Sequence, residues 1–327
     1  MPYGTINADK MTTSDGVSSS GLYGFKNRII NGGMVIDQRN AGAATTPTNS
    51  TYLLDRWSYT QVAASKFTFQ QNAGSVTPPV GFSNYLGATV ASAVTVASGD
   101  YYNLSQPIEG FNTADLGFGT ANAKTVTLSF QVYSSLTGTF GGSLRNSAGT
   151  RSYPFSYSIP TANTWTSISI TITGDTTGTW IGATNGVGIN VFFGLGVGST
   201  YTAASGSWAA GNYLSATGAV NPIATGSATW YVTGVQLEKG STATSFDYRP
   251  YGTEFALCQR YFQSHSEVIV ETSSNFQGWM YPVQMRTAPT IAGGGAGFTI
   301  NGNNADSFMS FQTSRASVAK LTFSSEL

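Results

Sequence analysis

Residues 228–263 read Ala-Thr-Trp-Tyr-Val-Thr-Gly-Val-Gln-Leu-Glu-Lys-Gly-Ser-Thr-Ala-Thr-Ser-Phe-Asp-Tyr-Arg-Pro-Tyr-Gly-Thr-Glu-Phe-Ala-Leu-Cys-Gln-Arg-Tyr-Phe-Gln. Trp230, Val232, Val235 and Leu237 sit among Tyr231, Thr233 and Gln236, a near-alternation of β-branched and aromatic residues that predicts a strand. Lys239-Gly240-Ser241 predicts a turn. Residues 245–249 alternate again until Pro250, which cannot donate to a ladder and so ends a strand or lies on an edge. Behind Thr253-Glu254 the period changes. Phe255, Cys258 and Phe262 recur at helical spacing, with Ala256, Leu257 and Tyr261 on the flank. The stretch is therefore expected to be the last strand of a β-domain, a corner, and a short helix leading into a second unit.

Upstream, the same period-2 signal repeats. Val126, Leu128, Phe130 and Val132 face one way while Thr127, Ser129 and Gln131 face the other. Strands are predicted at 27–39 (split by Gly32-Gly33), 52–62, 66–71, 85–96, 101–108, 139–146, 152–159, 164–173 and 187–196. No helical pattern intervenes, so the rhythm predicts a β-sandwich or barrel and excludes a parallel α/β sheet. Past the helix, residues 267–271, 277–285 and 298–300 predict a small second β-unit. Four parts are expected: an N-terminal segment over 1–26, a sandwich over 27–252, a linking helix over 253–265 and a C-terminal β-domain over 266–327.

Composition narrows the function classes. Only 9% of residues are charged and the formal net charge is zero, while 40% are hydrophobic and 13% aromatic. Such a chain folds, because disorder goes with low hydrophobicity and high net charge. Fifteen basic residues scattered singly give no positive footprint for nucleic acid. No apolar run reaches the length of a membrane-spanning helix, and Met1-Pro2-Tyr3-Gly4 does not open a signal peptide. One cysteine, Cys258, excludes an internal disulfide and a cysteine-based zinc site.

Three blocks of this sequence resemble a known family. Val235-Gln236-Leu237-Glu238-Lys239-Gly240, Ala243-Thr244-Ser245-Phe246-Asp247-Tyr248-Arg249-Pro250 and Leu257-Cys258-Gln259-Arg260-Tyr261-Phe262 look like the end motif of tail-fibre-type structural proteins of tailed bacteriophages. Its partners are Asn27-Arg28-Ile29-Ile30-Asn31-Gly32-Gly33-Met34 with Asp37-Gln38-Arg39-Asn40-Ala41-Gly42, and Leu53-Leu54-Asp55-Arg56-Trp57. The resemblance covers roughly residues 20–290. It implies an all-β, jelly-roll-like sandwich, similar to carbohydrate-binding modules, in a fibre or appendage of the virion. Residues 1–26 would attach it to other virion proteins, a host polysaccharide would be the ligand, and assembly would take place in the bacterial cytoplasm. The resemblance carries no catalytic residues. Two other readings compete: a head- or neck-attached decoration fibre, and a glycan-cleaving appendage enzyme.

The candidate site residues are few. Residues 198–225 form a long loop with Tyr201, Trp208 and Tyr213 among Ala, Ser, Gly and Thr. These three, with Trp180, offer flat apolar faces for sugar rings. No charged residue lies between Asp175 and Glu238, so the loop suits a neutral polysaccharide. The alternative is that Trp208 plugs the sandwich. Phe255, Cys258, Tyr261 and Phe262 cover most of the helix circumference and are expected to pack between copies of a homotrimer. The acids fall into no pattern that marks a catalytic pair, and His265 lacks a nucleophile elbow. Asn112 and Asp115 are the only pair resembling part of a calcium site. No cofactor and no metal are therefore expected.

Overall fold

The structure, a computed structural model, describes residues 26–265, 268–270, 277–293, 298–312, 316–318 and 320–327. The expected attachment segment thus lies outside the described residues, apart from Lys26.

Fourteen strands precede the helix: β1 (Thr51–Tyr52), β2 (Ser58–Gln61), β3 (Phe67–Gln71), β4 (Leu86–Val90), β5 (Tyr101–Glu109), β6 (Val126–Ser134), β7 (Gly138–Arg145), β8 (Arg151–Ile159), β9 (Thr166–Ile172), β10 (Val187–Val197), β11 (Thr202–Ala203), β12 (Ala209–Ala210), β13 (Ser215–Ala216) and β14 (Thr229–Lys239). One sheet runs β1-β2-β5-β10-β7-β8-β12 and the other β3-β4-β14-β6-β9. Within both, neighbouring strands are antiparallel. The architecture is a β-sandwich, one of the two forms that the strand rhythm predicts, and it is jelly-roll-like, as the resemblance implies.

Alternation fills the space between the sheets. Ile189, Val191, Phe193 and Leu195 of β10 point inward to meet Val126, Leu128, Phe130 and Val132 of β6 in one core. The Phe193 ring lies 5.1 Å from Phe130 at 77° and 5.4 Å from Trp230, the tilted arrangements that aromatic quadrupoles prefer.

Residues 27–39 depart from expectation: they form no strand, and side chains do the work of a ladder. The register of β14 shifts between Thr233 and Gln236, with Gly234 at φ +62. A bulge leaves a residue's backbone groups unpaired on its own ladder. Here they are taken by the N-terminal segment: Val235 N–H donates to Gly32 O at 3.0 Å and Asn27 Nδ2 donates to Val235 O at 3.1 Å. A Cβ at Gly32 would collide with that same Val235 carbonyl, so the approach requires glycine. Gln106 pairs both ways with Ile30, accepting from its N–H at 2.9 Å and donating to its carbonyl at 2.8 Å. Asn31, at φ +58, bonds Ile36 through both of its amide atoms. Two glutamine or asparagine amides thus imitate strand pairing. The two apolar clusters of 27–39, Ile29-Ile30 and Met34-Val35-Ile36, are real, but the polar residues between and beside them are connectors.

Residues 245–249 are likewise extended without a ladder. Their amides are met by β14 side chains: Thr244 N–H donates to Glu238 Oε1 and Asp247 N–H to Gln236 Oε1, each at 2.9 Å.

The helix, α1, spans Tyr251–Gln259, two residues earlier than expected and shorter. Pro250 is its N-cap, where the missing donor is no loss. Residues 262–265 are not helical but form β15 (Phe262–His265). Beyond it come β16 (Val268–Val270), β17 (Gln277–Met280), β18 (Thr290–Gly293), β19 (Phe298–Asn303), β20 (Ser307–Gln312), β21 (Ala316–Val318) and β22 (Leu321–Ser324). β22 is paired on both sides, by β15 and by β18. Tyr281, Met285, Phe308, Leu321 and Phe323 make the small core of this region.

Burial of Asp55 has a measurable consequence. Its carboxylate accepts from Gln38 N–H at 2.8 Å and Gln38 Nε2 at 2.6 Å, yet desolvation dominates and lifts its pKa from 3.8 to about 6. The folded state therefore holds this proton more tightly than the unfolded chain. The group's contribution to stability is complete below pH 3.8 and is lost as pH rises through about 6. Asp55→Asn is expected to remove this dependence. Relative to wild type, the variant gains up to about 3 kcal/mol between pH 4 and pH 7 in denaturant unfolding; a difference that stays constant over that range would refute the assignment.

Candidate functional site: a groove on the outer sheet face

The outward positions of the seven-stranded sheet build the site. Along β5 these are Tyr101, Asn103, Ser105 and Pro107, and along β10 Asn190, Phe192, Gly194 and, past a register shift, Val197, since Leu104, Ile108, Ile189, Val191, Phe193 and Leu195 belong to the core. At one end the face carries small residues. A Cβ on Gly194 would lie 2.8 Å from Ser215 Oγ, and one on Gly141 of β7 would lie 2.8 Å from the Ala216 amide. The loop 198–225 rests on that bed. It is fixed by β12 pairing with β8, by Val220 N–H donating to Thr139 O at 2.7 Å, and by Val197 N–H donating to Asn221 Oδ1 at 2.9 Å.

Where the bed ends, a groove of about 400 Å³ remains. Ser58, Thr60, Ser105 and Asn190 supply neutral hydroxyls and an amide, while Tyr101, Phe192, Tyr201 and Leu214 supply apolar surface. Ser58 Oγ and Ser105 Oγ are 2.8 Å apart. Tyr101 and Tyr201 meet edge to face at 5.4 Å and 87°, and fix the wall. Arg145 enters from the end of β7, its guanidinium 4.7 Å over the Phe192 ring and donating to Asn212 Oδ1. Asn103 lies between Tyr101 and Ser105 on the same strand face. It is fully buried, and neither of its amide atoms has a partner among the described residues. The groove thus combines hydrogen-bonding groups of both senses with flat apolar walls, its floor on the strands of the sheet and one wall on the loop 198–225.

The four aromatic candidates separate. Tyr201 lines the groove, and Tyr213 follows Asn212, which also lines it. Trp180 and Trp208 are elsewhere. They pack against each other at 5.3 Å and 85°, both edge-on to Phe118, with Tyr153 5.3 Å from Trp208. Trp208 Nε1 donates to Thr173 O at 2.6 Å, and both indoles are half-buried against the main core. In this position Trp208 clips the far end of the loop onto the sandwich.

The helix residues also find partners inside the chain. Cys258 and Tyr261 are buried with Ile30 and Ile36, and burial pushes the Cys258 thiol well above its ordinary pKa. Tyr261 Oη donates to Glu109 Oε2 at 2.5 Å, while Phe262 carries Arg39 over its ring at 3.7 Å. Of the four, only Phe255 is partly open. The hydrophobic circumference that suggests an interface is covered mainly by residues 30–39 and the chain's last residues.

Other candidates resolve into structure. Asn112 and Asp115 face Arg28, which donates to the Asn112 carbonyl at 3.1 Å and to Asp115 Oδ2 at 2.9 Å. His265 is edge-on to Phe323 at 5.5 Å, and burial lowers its pKa. Among the described residues no cluster of three His, Cys, Asp or Glu side chains could hold a metal ion.

Sequence reasoning missed Arg145, Asn190 and Phe192. The signal was available in β10: once Ile189, Val191 and Phe193 are assigned inward, Asn190 and Phe192 must face out.

No family model and no curated protein matches this sequence. Solved structures show partial likenesses. The enzymatically active domain of bacteriophage CBA120 tailspike protein 4 is 14% identical over 65% of this chain, with a TM-score of 0.35, and the match spans 21% of that structure. A putative sugar binding protein from Bacteroides thetaiotaomicron is 12% identical over 66% of this chain and all of its own, with a TM-score of 0.37. A family 11 carbohydrate-binding module from Clostridium thermocellum, in complex with a mixed-linked tetrasaccharide, is 11% identical over 62% of this chain and all of its own, at 0.29.

Trp208→Ala tests the clip. Removing a half-buried indole and its hydrogen bond is expected to cost about 2–3 kcal/mol in denaturant unfolding. An unchanged unfolding midpoint would instead make Trp208 an exposed contact residue.

Proposed function

We propose that this protein is a glycan-binding component of a bacteriophage fibre or appendage, and that the groove on the outer face of the seven-stranded sheet holds the sugar chain. The observation that carries the binding reading is the groove itself. Ser58, Thr60, Ser105 and Asn190 present neutral donors and acceptors beside the Tyr101, Phe192 and Tyr201 rings, in a cavity of about 400 Å³. Sugars need this pairing, hydrogen bonds to hydroxyls and apolar contact to ring faces. No Asp or Glu side chain lines the groove. Glycoside hydrolysis usually uses two carboxylates flanking the scissile bond, so binding suits the site better than cleavage.

The virion role rests on the sequence resemblance of residues 27–42, 53–57 and 235–262. In this reading residues 1–26 attach the protein to the particle and the groove points to the host surface. The chain is a homotrimer, whose linked grooves raise avidity through effective concentration. Light scattering should then give three times the 34.3 kDa chain mass; a mass of 34.3 kDa at every concentration removes the trimer.

Asn190→Ala and Tyr201→Ala are each expected to weaken adsorption to host-cell polysaccharide about five-fold, near 1 kcal/mol, with unchanged unfolding. A protein lacking residues 2–24 should keep full adsorption and fail to enter particles. Normal adsorption by the double groove variant would defeat the site assignment, and normal incorporation of the truncated chain would defeat the attachment role.

A further inference from the structure

The arginines among the described residues divide by partner. Arg28, Arg39, Arg56, Arg151, Arg249 and Arg260 each form an ion pair with a carboxylate. Arg286 is engaged by the main-chain carbonyls of Asn185, Ser325 and Glu326. Arg145 differs from all of them. Among the described residues its guanidinium meets a neutral amide, Asn212, and the face of Phe192. No carboxylate lies within ion-pair distance of it among the described residues, and its Nε is buried without a hydrogen-bond partner.

A half-buried cation without a counter-ion is costly, because burial removes water and nothing replaces it. In accord with this, desolvation lowers the Arg145 pKa. Arginine keeps its charge nonetheless, because a guanidinium is not deprotonated inside a protein. The position is also held in place: Arg145 pairs across the ladder with Asn190 and with Ser152, and its guanidinium is pinned between ring and amide. An orientation fixed in this way lowers the ordering cost for an incoming anion.

Resting on the glycan reading of this groove, we infer that it selects an acidic sugar, a uronate or other carboxylate-bearing residue, whose carboxylate pairs with Arg145 while the serines and Asn190 take neighbouring hydroxyls. This inference replaces the neutral polysaccharide expected from the loop sequence alone. The loop between Asp175 and Glu238 carries no charge, but the sheet beneath it does. A carboxylate here would meet the guanidinium in partly excluded water, where a charge pair is stronger than on open surface. It would also draw acidic chains selectively, since no other charged side chain lines the groove.

The test uses the full-length protein with two probes, a galacturonate hexasaccharide and its carboxyl-reduced form, by calorimetry and by the Arg145 Nε–H resonance in NMR. The acidic probe should bind at least ten-fold more tightly. Its affinity should fall as salt rises from 50 to 500 mM while that of the reduced probe holds, and Arg145→Gln should erase the preference. Arg145→Lys should retain part of it. Equal binding of both probes, insensitive to salt and to Arg145→Gln, overturns the inference and leaves the glycan reading intact. Failure of both probes to bind overturns the two together. Should Arg145→Gln not fold, the salt dependence and the resonance shift in wild type decide alone. Displacement of the acidic probe by inorganic phosphate but not by acetate would reassign the site to phosphate-bearing chains and overturn the carboxylate assignment.

Discussion

One buried carboxylate joins segments that share no sheet. Glu254, on the first turn of α1, accepts from the Asn31 amide and from Arg249 Nη1 at 3.1 Å, and Arg249 reaches on to the carbonyls of Asn27 and Ile29. Asn27 in turn holds β14 through Val235 and Leu237, and Asn31 holds the turn before Trp57 through the Asp55 carbonyl. Charges in a dry interior persist only when every partner is present, since removing one leaves the other uncompensated. The N-terminal segment, the central strand β14, the helix and the β1–β2 turn are therefore committed together. A second pair, Arg56 with Glu326, closes the arrangement from the far end of the chain.

Much of the sandwich was legible, and the reason is local. Where a strand has one face on the core, alternation is obligatory, and 126–134, 151–159 and 187–197 read almost as they fold. The failures share a cause. Residues 27–39, two apolar clusters about Gly32-Gly33, and residues 245–249, which alternate, carry Asn, Gln and Asp whose side chains, or whose β14 neighbours, complete backbone hydrogen bonds at a distance in sequence. Nothing in a period distinguishes a solvated asparagine from one bonded to a carbonyl two hundred residues away. The helix is shorter than its apolar spacing suggests for a similar reason: Tyr261 is buried against Ile30 and Ile36 as well as Cys258, and Phe262 lies under Arg39.

The groove was less legible than the fold. Tyr201 could be picked out because it is conspicuous in a poor background of Ala, Ser and Gly. Arg145 could not, because its significance is relational: among the described arginines it is the one held by neither a carboxylate nor a set of main-chain carbonyls. The motif blocks that resemble phage fibre proteins supply Asn27, Asn31, Arg56, Trp57, Gln236 and Arg249, all in the buried network and none in the groove. The residues that carry the resemblance and those that line the groove occupy different parts of the molecule.

The glycine bed under loop 198–225 gives that separation a further meaning. Because Gly141 and Gly194 let the loop sit on bare backbone, the loop meets this part of the sheet with few interlocking side chains. The wall of the groove can then change its outward chemistry, residue by residue, without the floor having to repack in response. Floor and wall are in this sense a mould and an insert: one sandwich can present a succession of recognition surfaces while its sheets, core and buried charges stay as they are.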